Sequence, residues 1–182
     1  MRNLIENKAC ALALSAVMLS GCTAQHRDHS ESFFGFDTFI SITAEQLEET
    51  QAESIRQLLE GLDESFSSAY GADANTLDNA DLTDCARKAA GFSEVYGDTV
   101  NLTIGAVTEL WGISTDSPQV PDEASLASAL LTMQDTSYNA GDLGAYPDGV
   151  KLDFGAAAKG YACDRVYDEL EQTDIKHMVL SM

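Results

Sequence analysis

The sequence predicts a mixed α/β fold of the α+β kind, in which helices and short strands build one domain. Apolar residues recur with helical spacing along 44–66 and 156–170, whereas shorter apolar stretches at 36–42 and 177–181 are typical of strands. Turn-forming residues separate these segments, and the chain contains no internal repeat. A chain of 182 residues suffices for one domain behind an N-terminal leader.

The predicted elements follow from these local patterns. The helix at 44–66 has an apolar side made of Leu47, Ile55, Leu58, Leu59 and Leu62. The last three predicted elements form a strand–helix–strand unit. In chain order the elements are a strand at 36–42, a helix at 44–66, a polar loop at 67–81, a helix at 83–95, an exposed turn at 98–105 leading into a helix that ends at Leu110 or Trp111, a Pro-containing turn at 114–121, a helix from Asp122 to about Met133, a Gly-rich connector at 138–148, a strand at 150–154, a helix at 156–170 and a strand at 177–181.

The N-terminus has the pattern of an export signal. Arg2 and Lys8 precede or border a short apolar run at 9–19, and Leu19-Ser20-Gly21-Cys22 resembles a bacterial lipobox. We therefore expect a signal peptide at 1–21, lipidation of Cys22, a polar tether at 22–33 and the domain at 34–182. The alternatives are a plain secretory signal cleaved near Cys22, or a core helix.

The charge of the chain limits its partners. It has 30 acidic and 10 basic residues and a net charge of −20, which argues against binding nucleic acid and against electrostatic attraction to anionic lipid. Attachment to a membrane must then come from the lipid on Cys22. The expected location is the bacterial cell envelope, anchored on the extracytoplasmic face.

Beyond the leader, only Cys85 and Cys163 remain. Outside the cytoplasm they could form a disulfide, or both could be buried free thiols. Neither lies in a setting that is typical of a nucleophile.

Residues 152–164 read Leu-Asp-Phe-Gly-Ala-Ala-Ala-Lys-Gly-Tyr-Ala-Cys-Asp. The strand is expected to break at Gly155 into a helix whose apolar face consists of Ala156, Cys163, Val166, Tyr167 and Leu170. The first helical amides favour a phosphate or a phosphate-bound metal. Lys159 can supply a counter-charge, and Asp153 can accept from a hydroxyl or ring N–H or bind a cation. An ordinary strand–helix joint is the structural alternative.

Asp153-x-Gly155-x-x-Ala158-Lys159-Gly160-Tyr161-x-x-Asp164 resembles the signature of the ApbE family of FAD:protein FMN transferases. Two further segments are similar to that family: 36–42, which reads Phe-Asp-Thr followed by alternating residues, and 98–105 with Leu110-Trp111-Gly112 after it. The resemblance implies an ApbE-like fold, related to the T-fold. Family members usually continue beyond the strand at 177–181, so it also implies that the C-terminal half of the domain is missing.

The resemblance also implies a set of site residues, although it leaves the catalytic residues unknown. Ala156 takes the position whose backbone carbonyl binds magnesium in relatives, and Asn101 stands where an aspartate is usual. Phe36 has an ordinary core aromatic as its alternative, and Trp111 is expected in the core. The residues implied to bind FAD are Phe36, Tyr70, Thr99, Val100, Asn101, Asp153 and Lys159.

The implied activity is the Mg²⁺-dependent transfer of FMN from FAD to a Thr or Ser hydroxyl, with release of AMP. Acceptors would be extracytoplasmic flavoprotein subunits. The alternatives are hydrolysis of FAD to FMN and AMP, and a flavin-binding lipoprotein without turnover. Because half of the pocket is expected to be missing, no activity is expected of these 182 residues alone.

Overall fold

The computed structural model describes residues 28–76, 78–97, 99–113, 115–135, 146–171 and 173–182. The predicted signal peptide, the lipidation site Cys22 and most of the connector at 138–148 lie outside these residues. In the described part, no helix has both the length and the apolar character needed to cross a membrane.

The described strands form one antiparallel sheet. The strands are β1 (Asp28–Gly35), β2 (Thr38–Glu45) and β3 (Met178–Ser181), and β2 lies in the middle. Gly35 on β1 pairs with Thr38 on β2 next to the hairpin turn, and Ser41 on β2 pairs with Ser181 on β3. Together with the helices, this sheet confirms the mixed α/β class.

Strand β1 corrects the predicted tether, which was expected to run to residue 33. Half-buried side chains alternate with exposed ones along the strand. Glu31 pairs with Arg56, whose guanidinium carbon also lies 5.1 Å from the centre of the Phe33 ring. A polar sequence therefore forms a strand here because a neighbouring helix supplies a cation for it.

The hairpin turn consists of Phe36 and Asp37, with φ of 51° and 56°. Positive φ at both positions is the backbone of a two-residue type I′ loop. The prediction of a strand at 36–42 therefore begins two residues too early. It missed the turn because Phe36 is not a residue usual at such positions and the pair contains no glycine.

Five α-helices are present in the described residues. The predicted start of the first helix at residue 44 is wrong, because β2 continues to Glu45 and Gln46 then turns the chain at φ 63°. Glu48 donates its backbone N–H to Gln51 Oε1 at 3.0 Å as the helix begins. The helices are α1 (Glu49–Ala69), α2 (Ala80–Tyr96), α3 (Gly105–Trp111), α4 (Glu123–Asp135) and α5 (Ala158–Leu170), and 3₁₀ turns occur at Ala74–Thr76 and Leu102–Ile104.

Polar caps fix the starts of two helices close to the predicted positions. Asn79 Oδ1 accepts hydrogen bonds from the backbone N–H groups of Asp81 and Leu82, at 2.9 and 3.2 Å. Asp122 caps α4 by accepting from Ser125, and these hydrogen bonds lower the pKa of the Asp122 carboxyl. Capping of this kind satisfies amides that lack a partner within the helix.

The core lies between the sheet and helices α1 and α5. Ile40 and Ile42 on β2 are fully buried, as are Ile55 and Leu59 on α1 and Val166 on α5. The apolar side predicted for the first helix is thus the face that packs on the sheet, with Leu58 partly buried at its edge. Trp111, which was expected in the core, is instead 38% exposed.

The predicted strand at 150–154 does not form in the described structure. Val150, Leu152 and Phe154 are buried in alternation, but only Lys151 makes a bridge, with Asp73. This extended segment lies against the loop after α1, where Ala74 donates its N–H to the carbonyl of Val150 at 2.8 Å. Since β3 pairs antiparallel with β2, the predicted strand–helix–strand unit is also absent from the described residues.

The predicted apolar face of the last helix is partly wrong. Val166 and Leu170 are buried, but Ala156, Cys163 and Tyr167 are exposed. The buried face instead includes Ala158, Tyr161 and Ala162, because the helix begins at Ala158 and Tyr161 packs against Phe66. Cys85 is a buried free thiol as expected, whereas Cys163 is free and exposed.

Gly105 lies where α3 crosses the extended segment. A Cβ atom at this position would be 2.7 Å from the backbone carbon and oxygen of Lys151. We expect Gly105→Ala to lower the free energy of unfolding by roughly 1–3 kcal/mol, because the backbone at Lys151 must move to make room for the methyl group. Urea unfolding measures this change.

Gly91→Ala is the matched control, since Gly91 lies within α2 and a Cβ there would meet nothing within 4 Å. We expect it to stabilise the chain by about 0.5–1 kcal/mol through helix propensity. Equal stability changes in the two variants would contradict the close packing at Gly105.

Candidate functional site

A cleft of about 310 Å³ opens where the hairpin turn, the C-terminal end of α1 and the segment before α5 meet. It combines buried rings with polar groups at its rim. Its lining residues are Phe36, Asp37, Asp63, Phe66, Ser67, Tyr70, Asp153, Phe154, Gly155, Ala158 and Lys159. We call this the first cleft.

Buried aromatic rings form the base of the first cleft. The Phe66 ring centre lies 6.2 Å from that of Phe36, 5.4 Å from that of Phe154 and 5.9 Å from that of Tyr161. All four rings are buried. Packed rings of this kind give an apolar surface that suits a planar heterocycle.

Three residues on one face of α1 line the first cleft together with Tyr70, which directly follows the helix, and only Tyr70 was predicted from the sequence. Asp63, Phe66, Ser67 and Tyr70 follow the spacing i, i+3, i+4 and i+7, which places them on one side of a helix. The signal that could have identified them is this run of polar residues beside Phe66, but the predicted helix ends at residue 66. The helix in fact continues to Ala69.

The hydroxyl of Tyr70 is buried and has no hydrogen-bond partner among the described residues. A buried polar atom without a partner costs roughly 1–3 kcal/mol. Because Tyr70 lines the first cleft, a ligand there could supply the missing partner.

Asp153 is held in place by the backbone on both sides. Its N–H donates to the carbonyl of Leu102 at 2.8 Å, and its Oδ1 accepts from the N–H of Gly155 at 2.7 Å. A Cβ at Gly155 would lie only 3.0 Å from Asp153 Oδ1. Glycine at 155 therefore lets this carboxylate fold back toward the start of α5.

Lys159 is the only basic side chain among the described residues that line the first cleft, which also has three aspartates, Asp37, Asp63 and Asp153. Lys159 is exposed and has no ion-pair partner among the described residues. Its charge is therefore available to a ligand. Within the described part of the chain, no three His, Cys, Asp or Glu residues are grouped so as to hold a metal ion.

Four of the predicted FAD-binding residues thus come together in the first cleft: Phe36, Tyr70, Asp153 and Lys159. Phe36 is buried in the core and also lines the first cleft. This position agrees with the core interpretation and is compatible with the FAD-binding interpretation. Thr99, Val100 and Asn101 do not line this cleft, and neither does Ala156.

Val100 and Ala156 line a second cleft of about 310 Å³, on the other side of the α5 start. It is mostly apolar, and its rim has one ion pair between Lys88 and Asp164, 3.2 Å apart. Its lining residues are Cys85, Lys88, Ala89, Phe92, Val100, Ala156, Ala157, Gly160, Tyr161 and Asp164. Arg165, the neighbour of Asp164 in the chain, pairs with Asp81.

The segment at 99–103 is fixed by internal hydrogen bonds. Val100 exchanges hydrogen bonds with Ser93 through both its N–H and its carbonyl. Asn101 Oδ1 accepts from the N–H and the hydroxyl of Thr103, at 2.9 and 2.6 Å, so it caps the 3₁₀ turn. Thr99 is exposed, whereas Leu102 and Thr103 are buried, which corrects the expectation of a wholly exposed turn.

The thiol of Cys85 and the phenol of Tyr161 give the fold a dependence on alkaline pH. Burial raises the pKa of each group to about 12. The folded state therefore favours the protonated Cys85 thiol. The contribution of this thiol to the free energy of unfolding is fully present below pH 9 and is lost as the pH rises toward 12. We expect Cys85→Ala to flatten the fall in unfolding free energy between pH 9 and 11, as measured by urea unfolding at each pH.

Cys163→Ala is the control for this measurement, because the pKa of the exposed Cys163 thiol is raised less than that of Cys85. Its curve should stay closer to that of the wild type. A wild-type unfolding free energy that stays level across this pH range would contradict the prediction.

Comparison with known proteins identifies the family. A sequence model of the ApbE family matches residues 36–182. The chain belongs to the ApbE family. A protein from Klebsiella pneumoniae (strain 342) named FAD:protein FMN transferase is 33% identical over 105 residues, which are 56% of this chain and 32% of that protein.

Solved ApbE structures share the fold. The ApbE protein from Thermotoga maritima superposes with a TM-score of 0.64 at 20% identity, over 81% of this chain and 54% of that one. A flavin transferase ApbE from Vibrio cholerae gives 0.66 at 16% identity, over 86% and 57%. The chain thus spans little more than half the length of these ApbE structures.

Proposed function

We propose that this ApbE-family protein is an FAD:protein FMN transferase, which moves FMN from FAD to a hydroxyl of an acceptor protein. Family membership and the Klebsiella relative, which is named FAD:protein FMN transferase, support the reaction class. The observation that carries the proposal is the first cleft, in which a buried aromatic base, carboxylates and one unpaired lysine lie together.

The side chains of the first cleft match the separate parts of FAD. The aromatic base suits the flavin ring, and the carboxylates can accept hydrogen bonds from ring N–H groups and ribityl hydroxyls. Lys159 can neutralise charge on the pyrophosphate, which an acidic chain would otherwise repel. Thr99, Val100 and Asn101 are the remaining candidates for contact with the adenosine half, and Val100 lines the second cleft.

We also propose that Mg²⁺ takes part. Its preferred ligands are oxygen atoms, and proteins commonly hold it through one or two carboxylates together with substrate phosphates. The candidate donors in this chain are the carboxylate of Asp153, which lines the first cleft, and the backbone carbonyl of Ala156, a residue that lines the second cleft. When bound, the ion would neutralise charge on the phosphates.

The transfer itself balances without any redox step. A Thr or Ser oxygen of the acceptor attacks the FMN phosphorus and forms a phosphoester, while the phosphorus–oxygen bond to AMP breaks and AMP leaves. The hydroxyl proton is lost to a base. The part played by this chain is to hold the flavin and orient the phosphate, since positioning supplies much of the catalysis in phosphoryl transfer.

The direct test incubates the 182-residue chain with FAD, Mg²⁺ and an extracytoplasmic subunit that has a Thr/Ser flavinylation motif. Intact-mass spectrometry detects an FMN adduct, and chromatography detects AMP. The controls are EDTA in place of Mg²⁺, and an acceptor in which the motif hydroxyl is replaced by valine.

The products decide between the reactions. Adduct with AMP supports transfer, and FMN with AMP but no adduct indicates hydrolysis. Bound FAD without products would indicate a flavin-binding protein without turnover. An absence of both binding and products would contradict the proposed function.

We further propose that the protein is anchored in the bacterial envelope through a lipid on Cys22, facing the extracytoplasmic side. The lipobox-like sequence before this residue supports the proposal. Incorporation of a labelled fatty acid into wild-type protein, but not into a Cys22→Ala variant, is the expected result.

A further inference from the structure

The hairpin turn at the first cleft has an unusual backbone. Phe36 and Asp37 are adjacent residues with a side chain, yet both have positive φ, at 51° and 56°. Positive φ is uncommon outside glycine, and for a bulky residue it is a clear outlier. Such residues persist only where the surrounding structure holds them, and they concentrate at functional sites.

Packing accounts for Phe36 but not for Asp37. The Phe36 ring is buried beside Phe66 in the aromatic base of the cleft. Asp37 is exposed, and its side chain has neither a hydrogen bond nor an ion pair with any described residue. Aspartate tolerates this backbone better than most residues, but a glycine would adopt it without strain, so the turn does not require a carboxylate.

Asp37 lines the first cleft, where its carboxylate can meet a ligand. We propose that Asp37 is a ligand-binding residue, which accepts a hydrogen bond from the flavin ring N–H or a ribityl hydroxyl of FAD. This inference rests on the proposed function and adds to it a residue and the half of the substrate that the residue recognises.

The choice of the riboflavin half follows from charge. An ionised carboxylate can only accept hydrogen bonds, and the imide and hydroxyl groups of riboflavin are donors. A phosphate beside Asp37 would meet a like charge, with Asp63 and Asp153 lining the same cleft. The cation suited to phosphate is Lys159, on α5 rather than on the hairpin.

The experiment measures riboflavin and AMP binding to the 182-residue chain by flavin fluorescence and calorimetry, and thermal unfolding by circular dichroism. Asp37→Gly removes the carboxylate and relieves the positive φ. We expect riboflavin affinity to fall about tenfold, as for the loss of a hydrogen bond to a charged group. We also expect the unfolding midpoint to rise by about 3 °C.

Two further variants separate charge from backbone. Asp37→Asn tolerates positive φ and removes only the charge, so riboflavin affinity should fall while the midpoint stays unchanged. Gln46→Gly is the matched control, because Gln46 has a φ of 63° but lines neither cleft. It should leave riboflavin affinity unchanged.

The outcomes distinguish this inference from the proposed function. If the wild-type chain binds FAD and riboflavin, and both Asp37 variants bind them equally well, the inference fails while the proposed function stands. If the variants lose apparent Mg²⁺ affinity but keep riboflavin affinity, Asp37 serves the cation and the inference is wrong. If the wild-type chain binds neither compound, both proposals fail together.

Discussion

Replacing Phe66 with alanine is expected to remove about 3–5 kcal/mol from the free energy of unfolding, the range found for large aromatic side chains in cores. Phe66 is the ring against which Phe36, Phe154 and Tyr161 all pack. The free energy of unfolding of a domain is commonly only about 5–15 kcal/mol, so this loss would remove a large part of it. Urea unfolding followed by circular dichroism measures it, and riboflavin affinity should fall in the same variant because the base of the first cleft is lost.

The control is Phe39→Ala. Phe39 is 78% exposed and makes an edge contact with Phe34, with ring centres 5.7 Å apart. Its removal should cost about 1 kcal/mol. Similar losses in the two variants would show that Phe66 is not the centre of the aromatic cluster.

Replacing Lys159 with methionine is expected to weaken FAD binding about 10- to 100-fold, the range for a hydrogen bond between charged groups. Riboflavin binding should be unchanged, since riboflavin has no phosphate. Titration of the purified chain with each compound, followed by flavin fluorescence, gives both affinities. A selective loss for FAD would assign Lys159 to the pyrophosphate.

Lys151→Met is the matched control for Lys159→Met. It makes the same change of residue and net charge, but Lys151 pairs with Glu109 and lines neither cleft. FAD affinity should then change by less than about twofold, because exposed charges are largely screened. Equal losses in the two variants would mean that net charge governs binding, and a loss of riboflavin binding would mean that Lys159 positions the cleft.

The helices could be predicted well where periodicity and caps agreed. Asn79 and Asp122 mark the starts of α2 and α4, and Gly97 and Gly112 end α2 and α3 with positive φ. Such signals are local, so they can be read from sequence. The strands were harder, because β1 depends on Arg56 from a distant helix and the turn at Phe36 lacks the usual residues.

The site was predicted in part for a similar reason. Asp153 and Lys159 belong to a recognisable motif, and both line the first cleft. Asp63 and Ser67 were missed because their role depends on where the end of α1 lies relative to the hairpin. Val100 and Ala156 were grouped with the others by resemblance, yet they lie in the second cleft.

Tyr161 connects the aromatic base of the first cleft to the lining of the second cleft. Its ring packs against Phe66 at the base of the first cleft, and it lines the second cleft, where Lys88 lies 5.2 Å from the ring centre. Its hydroxyl donates to Asp81 Oδ1 at 2.8 Å, which ties α5 to the start of α2. Because this one side chain packs against Phe66 and also lines the second cleft, a substitution at Tyr161 would change both the packing behind the first cleft and the shape of the second.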